Sequence, residues 1–505
     1  MGQIGSLISL VAGAALVPVF MRTSLPPATW ASLTLLVYAT RSLPAWLAYA
    51  PLWLALFAAT WIGQKGIIPM NGAAFAVPIF FIATFMFLVF VADRLLAPRF
   101  SGVAATLVFP VAWVAVEFFQ SRSTPAATWG SIAYTQFGYL PLMQVAAVVG
   151  IWGITFLVSW FASTFVHAWT HGFEWTAIRG PVLAYAAVLL VSIAAGAVRL
   201  ANAPTDRASV RVATLNRPRT LFVPGEMTRI TEASFAPSDR ERLAAKLKTL
   251  HDWFLEGTRR EARAGARVVV WPEGNLLVFK DDEATFLERA SALARSENVY
   301  LAMGMGTIHA GEALPFENKL VLIDPAGATR ISYLKSHPVA GWETSIMRRG
   351  DGRVPVVSTD AGRMAGMVCF DGDFPGFVRQ ASQGDADILL LPVNDWLAVK
   401  TIHFQMAAFR SIENGLPLVR AAASGLSAAF DPWGRVLGVS DYFADGDTTM
   451  TAQVPMGRVR TPYSRLGDWF PWSCVLAAAL MLIVAVVRTV THPTYSTYLT
   501  YLTGR

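Results

Sequence analysis

A chain of 505 residues that is 54% hydrophobic and only 15% charged, with a mean hydropathy of +0.45, is too apolar for a water-soluble protein of its length. Only eight basic and three acidic residues fall in the first 200 positions, so the chain divides into a membrane part and a water-soluble part. Of the net charge of +7, five units lie in the apolar part; arginines in short loops there set orientation and meet acidic lipid, which excludes nucleic acid as the expected partner.

Apolar runs fall at 4–21, 26–40, 43–62, 72–97, 102–120, 142–170 and 180–200, most of them long enough to cross about 30 Å of hydrocarbon. The run at 26–40 is the shortest of the seven. No basic region or cleavage site marks the first as a signal peptide, so it reads as an uncleaved span. Starting inside and counting seven crossings, Arg41, Arg94, Arg99, Arg179, Arg488 and Arg505 lie in the cytoplasm, against Arg22, Lys65, Arg122 and Arg199 outside. That bias, weak in size, places the soluble part on the outer or periplasmic face. Trp129, Tyr134, Phe137 and Tyr139 read as an interfacial aromatic belt, and Glu117 as a carboxylate at the membrane boundary.

From Ser209 the periodicity changes. A strand at 210–216 is followed by a helix at 238–264, a strand at 267–274, a helix near 282–296 and a strand at 300–308. Short strands at 318–324 and 330–335, a strand ending at Cys369, a strand at 387–395, a helix at 403–414 and strands at 416–422 and 426–431 complete a layered α/β domain of about 260 residues. A last apolar run at 470–490 ties it down again. The expected organisation is a transmembrane domain of about seven helices at 1–204, a catalytic α/β domain at 205–462, and a terminal span with a cytoplasmic tail at 463–505.

The stretch AGMVCFDGDFP, 365–375, puts a single thiol between an apolar strand and a sharp turn, where a nucleophile is held by rigid backbone and faces an opening. The only other cysteine, Cys474, lies in the last apolar run, so no disulfide framework is available and Cys369 is expected to be free. Glu273, after VVVWP, and Lys335, at the end of RISYLK, also stand at strand ends. A carboxylate in reach of a thiol can take its proton, and a lysine ammonium can stabilise an oxyanion; with a thiol they make an acyl-transfer site. Glu343, eight residues past Lys335, is a candidate second acid. His167 and His171 have metal-ligand spacing without a third ligand, and Gly304 and Gly306 begin a dinucleotide-like pattern that fails at His309, so neither a metal nor a nucleotide cofactor is inferred. His403 opens a helix and reads as structural.

WPE with Glu273, YLKSH with Lys335 and CFDGDFP with Cys369 resemble the motifs of the nitrilase (carbon-nitrogen hydrolase) superfamily, and NDW at 394–396 with the stretch 403–434 extends the resemblance over most of 209–455. The resemblance implies an αββα sandwich, a thioester intermediate, and an oxyanion held by Lys335 and the amide of Phe370. VAWVAVEFFQ at 111–120 and the stretch 129–160 are similar to the membrane signature of one branch, the apolipoprotein N-acyltransferases. That branch implies transfer of an acyl chain from a phospholipid donor, through Cys369, to the N-terminal amine of a lipoprotein at a bacterial inner membrane, with Glu343 assisting. Asp371, where that branch usually carries glutamate, and the 33 residues between Lys335 and Cys369, a short segment for it, keep an alternative open. The alternative is a membrane-anchored amidase, or an acyltransferase for another amine, with the same Glu, Lys and Cys chemistry.

Overall fold

The computed structural model describes residues 2–217, 237–309, 312–444 and 449–491. It divides into two units, Met1–Asn202 with Leu466–Arg505, and Ala203–Arg465.

The first unit is helical. Its main helices are α1 (Gln3–Thr23), α2 (Pro26–Ser42), α3 (Ala45–Gln64), α4 (Gly72–Leu96) and α5 (Gly102–Ser123), then the short α6 (Leu140–Met143) and α7 (Ala146–Val149), then α8 (Ile151–Thr170) and α9 (Trp175–Ala201). Among the described residues seven helices are long and apolar enough to cross a membrane, six before residue 202 and one at Trp469–Val490. The run at 26–40 does form a helix, but α2 has 17 residues, about 26 Å at 1.5 Å per residue, and is shorter than the seven. The expected continuous span over 142–170 is interrupted: α7 ends at Gly150, whose φ of +69° starts α8 in a new direction. Arg505, counted above as cytoplasmic, lies outside the described residues.

Polar side chains in these helices are spent on one another. Asp93, fully buried on α4, receives two hydrogen bonds from Arg41 of α2 at 2.7 and 2.8 Å, and the same guanidinium reaches Ser163 of α8 at 3.1 Å. Glu117 accepts from Trp113 at 3.0 Å and from Thr155 at 3.2 Å, so it is not simply a wet boundary group. Tyr134 is buried and bonded to Thr128, whereas Tyr139 is exposed; the aromatic loop is only partly an outward-facing belt.

The second unit is built on two six-stranded sheets. The first has the order β12-β1-β2-β3-β4-β5 and the second β11-β10-β9-β8-β7-β6. In chain order the strands are β1 (Ser209–Thr214), β2 (Val268–Phe279), β3 (Tyr300–Ile308), β4 (Phe316–Ile323), β5 (Thr329–Leu334), β6 (Val356–Thr359), β7 (Gly362–Gly366), β8 (Ile388–Asn394), β9 (Leu418–Ala423), β10 (Leu426–Phe430), β11 (Val436–Asp441) and β12 (Met450–Pro455). β1, β2 and β3 run parallel, as do β7, β8 and β9, and antiparallel strands flank both trios. Strands β2 and β3 of one sheet pack on β8 and β9 of the other. Helices α10 (Pro237–Arg263) and α11 (Glu283–Glu297) cover the first sheet, while α13 (Pro375–Gln383) and α14 (Lys400–Asn414) pack together on the second, giving four layers. The core beneath α10 centres on Trp271, whose ring meets that of Phe254 at a tilt with centroids 4.9 Å apart and which donates its indole N–H to Thr258 at 2.9 Å. The parallel strands are buried on both faces, and so read as unbroken apolar runs in the sequence.

Candidate active site

Glu273 is not at a strand end. β2 continues to Phe279, and its register against β3 shifts between Trp271 and Leu276, so Glu273 sits in an irregularity within the strand. Gly304 of β3 lies directly beneath: a Cβ there would come within 2.6 Å of the Pro272 carbonyl and 2.7 Å of the Glu273 nitrogen. The two glycines that suggested a nucleotide pattern are thus places of close packing, Gly304 under the glutamate and Gly306 against Phe316 and Leu277.

Lys335 follows β5 by one residue and is fully buried. Its Nζ donates to Glu273 Oε1 at 2.9 Å and to both oxygens of Glu343 at 3.0 and 2.8 Å. Glu343, on the short helix α12 (Trp342–Ile346), also accepts the Val339 N–H at 2.7 Å. Asn318 of β4, overlooked in the sequence, donates its amide to Glu273 Oε1 at 2.6 Å, and its own carbonyl accepts the Lys335 N–H at 2.8 Å. The signal for it was an Asn-Lys pair standing just before the apolar run Leu320 to Ile323 of the same strand.

Strand β7 ends at Gly366, three residues before Cys369, which begins a short 3-10 turn, Cys369–Asp373, at a φ of +48°. A side chain is held in that left-handed region only when its surroundings dictate it, and such strain collects at functional sites. Two carboxylates fix the turn. Asp371 accepts from Tyr333 at 2.7 Å, from the His337 ring and N–H at 2.8 Å, and from the Ser336 and Val368 amides, tying the thiol's turn to the segment that carries Lys335. Asp373 pairs with His403 at 3.1 Å; His403 pairs with Asp395 at 2.7 Å, and Asp395 with Arg420 at 2.5 Å, all of them buried. The Phe370 N–H has no acceptor among the described residues.

Cys369 lies within electrostatic reach of Glu273, Lys335 and Glu343. Burial, then the Glu273 carboxylate, push its thiol well above the ordinary range, against the pull of Lys335. For Lys335 burial opposes the charge, but Glu273 and Glu343 outweigh it and hold the ammonium well above its ordinary range. Glu343 is raised by burial and by Glu273, although Lys335 lowers it. The resting arrangement is therefore a neutral thiol beside a fixed cation and two carboxylates, with Glu273 Oε1 bound to donors on both sides. His167 and His171 lie with their rings tilted against each other, centroids 4.2 Å apart, and among the described residues no three His, Cys, Asp or Glu side chains are placed to hold a metal.

Comparison with known proteins adds two family matches: a carbon-nitrogen hydrolase model over residues 236–462 and an apolipoprotein N-acyltransferase N-terminal domain model over residues 12–164. Among curated relatives, an apolipoprotein N-acyltransferase of Geobacter metallireducens is 28% identical over 416 residues, 77% of this chain and 75% of that protein. One of Bradyrhizobium diazoefficiens is 28% identical over 418 residues, 77% of this chain and 73% of its own. Among solved structures, an amidase from Nesterenkonia sp. aligns with a TM-score of 0.39 and 20% identity, covering 49% of this chain and 90% of the amidase. With one family model matching the helical part and the other the α/β part, the chain belongs to the apolipoprotein N-acyltransferase branch of the carbon-nitrogen hydrolase superfamily.

Proposed function

We propose that this bacterial membrane acyltransferase moves a fatty acyl chain from a phospholipid, through a thioester on Cys369, to the N-terminal amine of a lipoprotein. The observation that carries the reading is the buried Lys335, bonded to Glu273 and Glu343 beside a thiol held at positive φ. Glu273 takes the Cys369 proton as the sulfur attacks the ester carbonyl. The oxyanion that forms is met by the Lys335 ammonium and the Phe370 N–H. Collapse breaks the ester C–O bond, Glu273 returns the proton to the departing lysophospholipid, and the acyl group stays on sulfur. In the second half the amine attacks the thioester and gives its proton to Glu273, and the thiolate leaves and is reprotonated. Glu343 holds Lys335 in place and in its charged form throughout.

The matched branch and the apolar helices support a multi-pass protein of the bacterial inner membrane with its catalytic domain on the periplasmic or outer face. Intact-mass measurement of the full-length protein after incubation with phospholipid, followed by a diacylated lipopeptide, tests the chemistry. Wild type is expected to gain one acyl mass and lose it to the lipopeptide, and Cys369→Ser to gain none that transfers. No acyl mass on wild type would defeat the reading, and release of free fatty acid without transfer would replace it with a hydrolase.

A further inference from the structure

Within the second unit an open cleft of about 390 Å³ is lined by Arg458, Arg460 and Arg465 together with Ser382, Ser464 and Asp385. Arg458 feels the like charges of Arg460, Arg465 and Arg363, so four guanidinium groups gather at one place. Few acids answer them. Asp385 pairs with Arg458, and an Asp387 oxygen is occupied by the Arg363 backbone N–H at 2.8 Å. Arg458 also donates to the Ser382 carbonyl at 2.7 Å, and Arg363 to the Gly384 carbonyl at 2.8 Å. Arg460 and Arg465 are exposed and have no hydrogen bond or ion pair among the described residues.

The arginines stand on a fixed support. The Val459 N–H donates to the Gly415 carbonyl at 2.7 Å, Thr461 donates to the Glu413 carbonyl at 2.6 Å, and Tyr463 is fully buried. Gly415, at a φ of +59°, leaves no room for a Cβ against the Val459 carbonyl, so the backbone that presents the cluster is clamped to the end of α14. A cluster of like charges held in a preformed cleft, with two members unpaired, is complementary to an anion that offers several oxygens. Guanidinium forks match phosphate in geometry as well as charge.

Its place in the chain narrows the source. Arg465 precedes Trp469, the first residue of the last apolar helix α15 (Trp469–Thr491), by four residues, a reach of at most about 14 Å. Trp469 and Trp472 are exposed on the first turn of that helix, the pattern of an interfacial anchor. We propose that the Arg458, Arg460 and Arg465 cleft is a phosphate site filled by the headgroup of an anionic phospholipid. None of its lining residues belongs to the Glu273, Lys335 and Glu343 cluster, so the site stands whether or not the acyl-transfer reading does.

Native mass spectrometry of the full-length protein in detergent, with phosphatidylglycerol or phosphatidylcholine added at equal concentration, tests it. Wild type is expected to retain phosphatidylglycerol in excess, and Arg460→Ser and Arg465→Ser each to cut that excess about fivefold. Inorganic phosphate is expected to compete it away. The charge-matched pair Arg263→Ser and Arg289→Ser, on α10 and α11, is expected to keep it. An excess that survives in the Arg460→Ser/Arg465→Ser double variant, or that falls equally in the charge-matched pair, overturns the proposal. Phosphate binding that these arginines govern, with no preference between the two lipids, overturns the lipid assignment in favour of free phosphate.

Discussion

Lys335 Nζ lies 2.9 Å from Glu273 Oε1, with the lysine side chain fully buried and the glutamate 4% exposed. Glu343 completes the arrangement at 2.8 Å, so one buried cation serves a buried carboxylate and a second that is partly exposed. A pair of this kind contributes little net stability, because removing the charges from water costs about what their attraction returns. Its value is that the ammonium is fixed, charged and dry where an oxyanion would form, beside a glutamate oxygen and a protonated thiol.

Glu273→Gln separates thiol ionisation from turnover. The Glu273 charge is, after burial, the largest influence raising the Cys369 pKa. Without it the thiolate forms at lower pH, and iodoacetamide should alkylate Cys369 faster at pH 8, by about tenfold for each unit the pKa falls. Acyl transfer should nevertheless drop by about 10² to 10⁴, since the group that moves the proton is gone. Alkylation and turnover falling together would mean that Glu273 supports the turn and not the proton transfer.

Lys335→Met strands two carboxylates in a buried site. The loss is expected to be about 3–5 kcal/mol, the cost of breaking a buried pair by removing one partner. Burial already raises the Glu343 pKa against the pull of Lys335; without the cation it rises further, so the variant's deficit should be full at neutral pH and shrink as pH falls and Glu343 takes up a proton. Denaturant midpoints of wild type and variant between pH 5 and 8 measure this, and a deficit independent of pH would show that Glu343 is not held as a charged group.

His403 gives a pH dependence of the opposite sense. Burial alone would lower its pKa, but Asp373 and Asp395 outweigh burial and raise it to about 9. The unfolded value is about 6.5, so the folded state binds this proton more tightly, a contribution of roughly 3 kcal/mol that is complete below about pH 6.5 and lost as pH rises through 9. Because Asp373 ends the turn that begins at Cys369, loss of the proton also loosens the thiol's mounting. Denaturant midpoints of wild type should fall between pH 6.5 and 9, and those of His403→Gln should start lower and lack that step. Parallel curves for the two would remove His403 from the account.

The alternation of apolar runs and amphipathic helices was enough to read an α/β layer beside a set of membrane helices, because burial on both faces leaves strands such as Leu389–Val393 without polar positions. Glu273, Lys335, Glu343 and Cys369 were legible as chemistry-bearing residues next to apolar strands. Their convergence was not, since it depends on β5 pairing with β4 and on which carbonyl Lys335 N–H meets. Asn318 escaped notice, and Gly304 was read only as part of a failed nucleotide pattern, for the same reason: each acts on a neighbouring strand, and register cannot be read from one strand alone. Asp371 and Asp373 looked like turn-formers and proved to be the two anchors of the cysteine turn.

Gly304→Ala probes the mounting of Glu273 without touching any charged group. The added Cβ would stand 2.6 Å from the Pro272 carbonyl oxygen and 2.7 Å from the Glu273 nitrogen, and backbone atoms cannot rotate out of the way. Relieving the contact pushes β2 away from β3 at its irregularity, at a cost of about 1–3 kcal/mol, and carries the Glu273 carboxylate away from Lys335 and Asn318. A displacement of about 1 Å at a reacting group is worth on the order of 10² in rate. Gly306→Ala is the control: its Cβ meets the side chains of Phe316 and Leu277, beyond the irregularity, so it should cost similar stability. Acyl-transfer rates and melting temperatures of the two variants decide the matter. Gly304→Ala should lose far more activity than Gly306→Ala at matched stability, and equal losses would mean that the close approach at Gly304 serves packing and not the position of the glutamate.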